Sequence, residues 1–118
     1  MSKPIVHVEF QVSDPKKSMK WYSEVFGWET SYMEEMSYGM FSTGEDQLGG
    51  GFNPNAETNL TGTVVYMGTD DIGGTLARAE AAGGKVIVPE SEIPGMGWFA
   101  LMADPDGNVV GVFKSGQQ

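Results

Sequence analysis

The stretch of the chain best suited to chemistry is PIVHVEFQV, residues 4–12, in which polar and apolar side chains alternate. This alternation predicts a β-strand with His7, Glu9 and Gln11 on one face. A neighbouring imidazole and carboxylate can exchange protons, hydrogen-bond a ligand or donate to a metal. Because the chain has one histidine, any imidazole chemistry depends on His7.

The composition excludes several classes of protein. The chain has no cysteine, so it has no disulfide, thiolate zinc site or cysteine nucleophile. Its net charge of −9 argues against nucleic-acid binding and is compatible with a cationic ligand. The triple glycine at 49–51 lacks the lysine of a phosphate loop, and no serine-hydrolase motif is present. The chain has no long apolar run and no signal-peptide pattern, so we expect a cytoplasmic protein with one domain over 1–118.

The order of predicted elements is β-α-β-β-β, and it occurs twice, over about 1–56 and 57–118. Ser13 or Asp14 is predicted to cap the first helix, and Gly27 to end it. Asp70 or Asp71 takes the capping role in the second helix. The polar stretch 53–62 reads as a connector, and seven further segments are strand candidates: 28–35, 38–42, 47–52, 63–69, 85–94, 97–103 and 108–114.

A common offset supports an internal repeat. His7 and Thr63 are separated by 56 positions, as are Asp14 and Asp70, and Gly27 and Gly83. The predicted fold is therefore α+β, with two βαβββ units forming a cupped, mixed β-sheet with flanking helices. The polar face of the first strand would line this cup, and a concave surface is the usual place for a ligand.

The sequence resembles the vicinal oxygen chelate superfamily, which contains glyoxalase I, extradiol dioxygenases and bleomycin-binding proteins. Three stretches carry the resemblance: IVHVEFQVSDPKKSMKWYSEVFGW, TDDIGGTLARAEAAGGKVIVP and IPGMGWFALMADPDGNVVGVF. They extend over nearly the whole chain and are most like small bacterial glyoxalase-like proteins. The resemblance implies a small-molecule ligand and a homodimer.

Metal-dependent members of the family hold a divalent ion with His or Glu from the first and last strand of each unit. Carried over residue by residue, these positions fall on His7, Thr63, Gly49–Gly51 and Gly111. Of these residues only His7 is a good metal donor. At the last position the family pattern DPDGNxxE reads DPDGNVVG here, so Gly111 stands where a glutamate is expected. We therefore expect no metal and no other cofactor at these positions, and an open, uncharged floor beside Gly111. A metal held by His7, Glu9 and donors from elsewhere stays open as an alternative.

Several roles remain open for the polar residues. His7 can hydrogen-bond a ligand, serve as a structural residue or act with Glu9 as an acid–base pair, in which the carboxylate would favour the protonated ring. The catalytic candidates are His7 and Glu9. An aromatic wall of Trp28, Tyr32, Tyr38, Tyr66 and Trp98 is a further possibility, with core packing as the simpler explanation of each. The full set of predicted ligand contacts is His7, Glu9, Gln11, Thr63, Val65, Met67, Trp98, Gly111 and Phe113.

The leading functional hypothesis is a metal-free protein that binds a small molecule. The second hypothesis is a metal-dependent lyase or dioxygenase with displaced ligands. The third is a drug-sequestering resistance protein that attracts a cationic drug to an acidic groove. The sequence does not decide whether the chain is an enzyme, and it does not name the ligand.

Overall fold

A computed structural model describes residues 2–54 and 62–116 of the chain. It confirms the predicted order of two βαβββ units, while most of the predicted connector, residues 55–61, lies outside the described residues. No helix in the described part of the chain is long and apolar enough to cross a membrane. The elements are β1 (Ile5–Gln11), α1 (Pro15–Phe26), β2 (Glu29–Met33), a short 3-10 helix (Glu34–Met36), β3 (Tyr38–Ser42), β4 (Gly49–Asn53), β5 (Gly62–Gly68), α2 (Ile72–Ala81), β6 (Lys85–Ile93), β7 (Gly97–Ala103) and β8 (Val109–Ser115).

Aspartate side chains begin both helices, as the sequence predicts. The Asp14 carboxylate accepts a hydrogen bond from the Lys17 backbone N–H at 3.3 Å, and Asp71 accepts one from Gly74 at 2.9 Å. These bonds satisfy backbone donors that have no partner within the first turn of a helix. Gly27 ends α1 with a φ of 75°, a left-handed conformation that favours glycine.

The described residues fall into two compact units, one within 7–64 and the other within 1–6 and 65–118. In the first unit the strand order is β2-β3-β4-β1, with β1 parallel to β4 and the other neighbours antiparallel. Its apolar face is aromatic. The Phe10 ring stacks on the Tyr22 ring of α1 with 5.1 Å between the ring centroids, and the Trp28 ring stacks on the Phe41 ring with 4.5 Å between the centroids. The core-packing explanation therefore holds for Trp28, and the first unit is built around ring contacts on its helix side.

In the second unit the strand order is β5-β8-β7-β6, with β5 parallel to β8. Strand β6 is the last in this order, and its register shifts on both sides of Val88. An edge position of this kind tolerates the proline at position 89. The core lies between the sheet and α2, and it contains Ile72, Ala100, Met102 and Val112, with Met67, Leu76, Ala79, Trp98 and Val110 packed against them.

The turn before β8 is held by one carboxylate. Asp104 accepts hydrogen bonds from the backbone N–H groups of Asp106 and Asn108 and from the Asn108 side chain, each at 2.9 Å. These bonds, first of all that from the Asn108 side chain, lower the pKa of Asp104. The DPDG sequence thus fixes where β8 begins, and with it the position of Gly111.

The repeat has an offset of 57 residues in this part of the fold, which corrects the predicted 56. Glu9 pairs with Gly51 across β1 and β4, and Tyr66 pairs with Gly111 across β5 and β8. Glu9 and Tyr66 are therefore equivalent, as are the capping residues Asp14 and Asp71. A shift of one residue moves every side chain of a strand to the other face, so the predicted match of His7 with Thr63 is wrong.

We expect Phe52→Ala to lower the free energy of unfolding by about 3–5 kcal/mol, because the change leaves a cavity in a close-packed core. Phe52 has an exposure of 0%, whereas Phe26 on α1 is 58% exposed. Urea denaturation of both alanine variants measures the difference. An equal loss from Phe26→Ala would contradict the position of the core.

Candidate functional site

A buried carboxylate lies at the centre of the polar face of the first unit. Glu9 is 7% exposed, and its two oxygens accept hydrogen bonds from three side chains on three strands. Gln11 donates to Oε1 at 2.9 Å, Asn53 donates to the same oxygen at 3.2 Å, and Tyr38 donates to Oε2 at 2.8 Å. Burial of a charged group is tolerated only with partners of this kind.

Tyr38 also connects Glu9 to the only histidine. Its hydroxyl oxygen lies 2.9 Å from His7 Nε2, and the two rings stack with an interplanar angle of 17°. His7, Tyr38 and Glu9 therefore form one hydrogen-bonded chain. The structure confirms that His7 and Glu9 lie near each other on one face, and it adds a tyrosine between them.

The local environment decides the protonation of His7. Burial lowers the pKa of the imidazole, and this effect exceeds the opposing effect of the Glu9 carboxylate, so the pKa lies below its ordinary value of 6.5. The expectation that Glu9 would favour the protonated ring is wrong in its net direction. At neutral pH the ring is uncharged and can accept a proton.

One of the three glycines at the family's first acidic position, Gly51, lies beneath Tyr38. A Cβ atom built on Gly51 would collide with the Tyr38 ring and hydroxyl. Glycine at this position is therefore what allows the tyrosine to reach Glu9 and His7. In the first unit, the space next to the carboxylate is filled by a protein side chain.

The second unit contains a matching arrangement, which corrects the prediction of an open floor beside Gly111. Tyr66, which is 7% exposed, places its ring directly over Gly111, so that a Cβ atom there would collide with it. Gly51 and Gly111 occupy equivalent positions, and a tyrosine covers each. The missing side chain of Gly111 makes room for an aromatic ring.

Other predicted contacts lie on the opposite side of their strands. Met67 and Trp98 pack against the core beside α2, and alternation along β5 puts Thr63 and Val65 on the same side as Met67. These four residues therefore lie on the helix side of the second unit and not on the predicted ligand face. For Thr63, Val65 and Met67 the cause is the one-residue error in the offset. Gly111 and Phe113 alternate with the core residue Val112, so they lie on the face away from the helix, as predicted.

The arrangement does not fit the metal site that the resemblance implies. Within residues 2–54 and 62–116 there is no group of three or more His, Asp or Glu side chains that could hold a metal. Glu9 already accepts three hydrogen bonds, and tyrosine rings cover Gly51 and Gly111. A cation beside Glu9 would have to displace these donors.

The sequence predictions missed two members of the site. Asn53 falls within the predicted connector, but it pairs with Gln11 at the end of β4. The sequence suggests Tyr38 only for an aromatic wall, yet its hydroxyl lies between Glu9 and His7 in the hydrogen-bonded chain. The alternation of Tyr38 and Met40 with the buried Phe41 indicates the correct face once the pairing of β3 is known.

Comparison with known proteins shows the family of the chain. The model of the Glyoxalase/Bleomycin resistance protein/Dioxygenase superfamily matches residues 4–112. The chain therefore belongs to this superfamily, and the α+β fold of two βαβββ units agrees with that membership. Members of the superfamily often bind a metal.

Particular relatives agree with this assignment. A Mycobacterium tuberculosis protein named "Putative glyoxylase CFP32" is 33% identical over an alignment of 113 residues, and this alignment covers 93% of this chain and 43% of the relative. The chain thus spans less than half the length of that relative. The anthracycline biosynthesis protein DnrV of Streptomyces peucetius is 40% identical over 53 residues, 45% of this chain and 19% of that protein.

Solved structures show the same fold at low sequence identity. A superfamily member from Vibrio splendidus has a TM-score of 0.67 and 13% identity, and the match covers 97% of this chain and 99% of that one. A methylmalonyl-CoA epimerase solved with methylmalonyl-CoA and NH4+ has a TM-score of 0.70 and 18% identity, with 99% and 97% covered. These two likenesses concern the fold alone.

We expect Gly111→Ala to destabilise the protein by about 1–3 kcal/mol, because the added methyl group must displace the Tyr66 ring. Gly73→Ala is the matched control. A Cβ atom on Gly73 meets nothing closer than Asp71 Oδ1 at 4.0 Å, and alanine is favoured in a helix by up to about 1 kcal/mol. Thermal unfolding should show opposite signs for the two variants. A Gly111→Ala variant with unchanged thermal stability would contradict the placement of the Tyr66 ring over Gly111.

We expect the pKa of His7 to lie below 6.5, and an NMR titration measures it without ambiguity because the chain has one histidine. Since the ring is harder to protonate in the folded state, this group's contribution to stability is complete above the unfolded pKa. It decreases as the pH falls from about 6.5 toward the folded pKa. A measured pKa above 6.5 would show that Glu9, and not burial, controls the ring.

Proposed function

We propose that this protein binds a small organic molecule on the polar face of the first unit, at His7, Tyr38 and Glu9, and that it does so without a metal at the family's ligand positions. The observation that carries the proposal is the buried Glu9 carboxylate with its three side-chain donors. Such a network holds the polar groups in fixed positions before a ligand arrives, which reduces the entropic cost of binding.

The neighbours of this network suit an organic ligand. Met40 pairs with Gly51, and Met33 pairs with Tyr38, so both methionines lie on the polar face of the sheet. Methionine side chains adapt to irregular apolar shapes. The face therefore combines a few fixed hydrogen-bonding groups with deformable apolar ones, which is the usual composition of a small-molecule site.

The main rival is a metal-dependent lyase or dioxygenase, and direct metal binding separates the two. Calorimetric titration of the purified protein with Zn²⁺, Mn²⁺ and Ni²⁺ should show no stoichiometric binding, and His7→Ala should leave the heats unchanged. The Glu9 oxygens that could bind a cation already accept hydrogen bonds from Tyr38, Gln11 and Asn53. A cation therefore has to compete with these three side chains. One tight ion per chain, lost in His7→Ala, would refute the metal-free site.

The binding proposal is tested with a screen of small hydroxyl and carbonyl compounds, to which methylmalonyl-CoA is added because a structural neighbour is solved with it. We expect hits that perturb the NMR signals of His7 and Tyr38, and we expect His7→Ala to weaken them about tenfold, the effect of one lost hydrogen bond. Tyr32→Phe is the control, since Lys16 of α1 lies over the Tyr32 ring at 4.6 Å, on the helix side. Hits confined to other surfaces, or unaffected by His7→Ala, would contradict the proposed site.

A homodimer and a cytoplasmic location stay part of this proposal. The superfamily resemblance supports the dimer, because relatives often pair or exchange units. Drug sequestration is a special case of the same binding site, in which the acidic surface attracts a cation. Binding that does not weaken with added salt would exclude that electrostatic version.

A further inference from the structure

The outer face of helix α1 is basic and aromatic, although the chain is acidic. The net charge of the chain is −9, yet three of its seven lysine and arginine residues lie in α1, as Lys16, Lys17 and Lys20. In the same helix Trp21 is 53% exposed and Val25 is 52% exposed. Single exposed apolar residues are common, but several on one helix turn indicate contact with another molecule.

The packing of α1 on its sheet leaves this outer face uncovered. The Tyr22 ring of α1 stacks on the Phe10 ring of β1 with 5.1 Å between the centroids, which places Tyr22 on the sheet side. The Trp21 ring meets the edge of the Phe26 ring with 5.9 Å between the centroids, and Phe26 is 58% exposed. Val25 follows Trp21 by one helical turn. The three exposed side chains thus form one apolar patch at the end of α1.

The order of residues along this face is complementary to itself in reverse. Lys17, Trp21 and Glu24 lie on one face at helical spacing, with Lys20 beside them. A second α1 can run antiparallel to the first, with a twofold axis between positions 20 and 21. Lys17 then faces Glu24 of the second copy, and Lys20 faces the Trp21 ring of that copy. Because a twofold interface repeats every contact, two ion pairs and two cation–π contacts form.

We infer that the outer face of α1 is a self-association surface, and that its partner is a second copy of this chain bound through an antiparallel α1. The inference specifies the interface of the homodimer that is part of the proposed function. It does not depend on the ligand site at His7, so the interface and the ligand site can fail separately.

The charges of the two copies favour this contact over others. On a chain with a net charge of −9, most contacts between two copies bring like charges together, whereas the antiparallel helices pair Lys17 with Glu24. Within one chain Glu24 approaches Lys20 at 4.0 Å, with 67% and 76% of these side chains exposed. An exposed pair of this kind is weak, so Glu24 can turn to a second copy. Lys16 is engaged within its own chain, since its ammonium lies 4.6 Å from the centroid of the Tyr32 ring.

The size of the helix sets the expected strength of the dimer. A helix of 12 residues is about 18 Å long, so a contact between two such helices is smaller than a standard interface of about 1,600 Å². We therefore expect a reversible dimer with a dissociation constant of about 1–100 μM. Sedimentation velocity of the full chain over a range of concentrations measures this constant.

The direct test reverses the charges that the antiparallel contact pairs. Lys17→Glu alone and Glu24→Lys alone each create two like-charged pairs in the dimer, so we expect each to raise the dissociation constant about tenfold. An equimolar mixture of the two variants should recover the wild-type affinity as a heterodimer, because the introduced glutamate then faces the introduced lysine. Ile87→Ser is the control, at a side chain of β6 that is 40% exposed, and it should dimerise like the wild type.

Several results would overturn the inference. A wild-type chain that remains a monomer at about 1 mM has no such interface, and if it still binds small molecules at His7, the ligand site stands without the dimer. A dimer unchanged by both charge reversals is held by another surface. Failure of the mixed variants to associate excludes the antiparallel pairing of Lys17 with Glu24. Binding of monomers to phosphatidylserine vesicles, lost in Trp21→Ala, would assign this face to a lipid surface instead.

Discussion

The burial of the Glu9 carboxylate is the constraint on which the polar half of the first unit depends. An ionised group taken out of water costs several kcal/mol unless donors replace its hydration. Here the donors come from Gln11 on β1, Tyr38 on β3 and Asn53 on β4. The three strands must keep their register for all three bonds to form, so the carboxylate and the sheet stabilise each other.

The two faces of the sheet in the first unit contribute differently to stability. On the helix side, Phe10, Phe41 and Phe52 pack with rings from α1 and the segment after it, and this provides the hydrophobic free energy. On the other side the polar network contributes little net stability but fixes the orientation of each group. The parallel pairing of β1 with β4 links the two faces because it brings Glu9 next to Gly51.

Much of the fold could be predicted from the sequence, because caps and alternation are local signals. The cap at Asp14, the end of α1 at Gly27 and the alternation of β1 all agree with the structure. The faces of β5 could not be predicted in the same way. Both aspartates before α2 are plausible caps, and the choice of Asp70 over Asp71 reverses every side chain of the strand.

The tyrosines could not be found from local patterns at all. A glycine in a strand indicates that something approaches closely, but the identity of the approaching group depends on pairing between distant parts of the chain. Tyr66 meets Gly111 across 45 positions of sequence. Tyr38 reaches Gly51 and Glu9 only after β3, β4 and β1 have assembled. Long-range pairing is the information that one sequence does not display.

The tyrosine–glycine pairs also constrain how such a chain can change over evolution. A single substitution that introduces an acidic side chain at Gly51 or Gly111 would collide with a ring that is already in place. Loss of the tyrosine alone would leave a hole above the glycine. A metal-binding descendant therefore needs two coupled substitutions in each unit, and each intermediate is less stable than its parent. Such epistasis makes the absence of the acidic residue difficult to reverse.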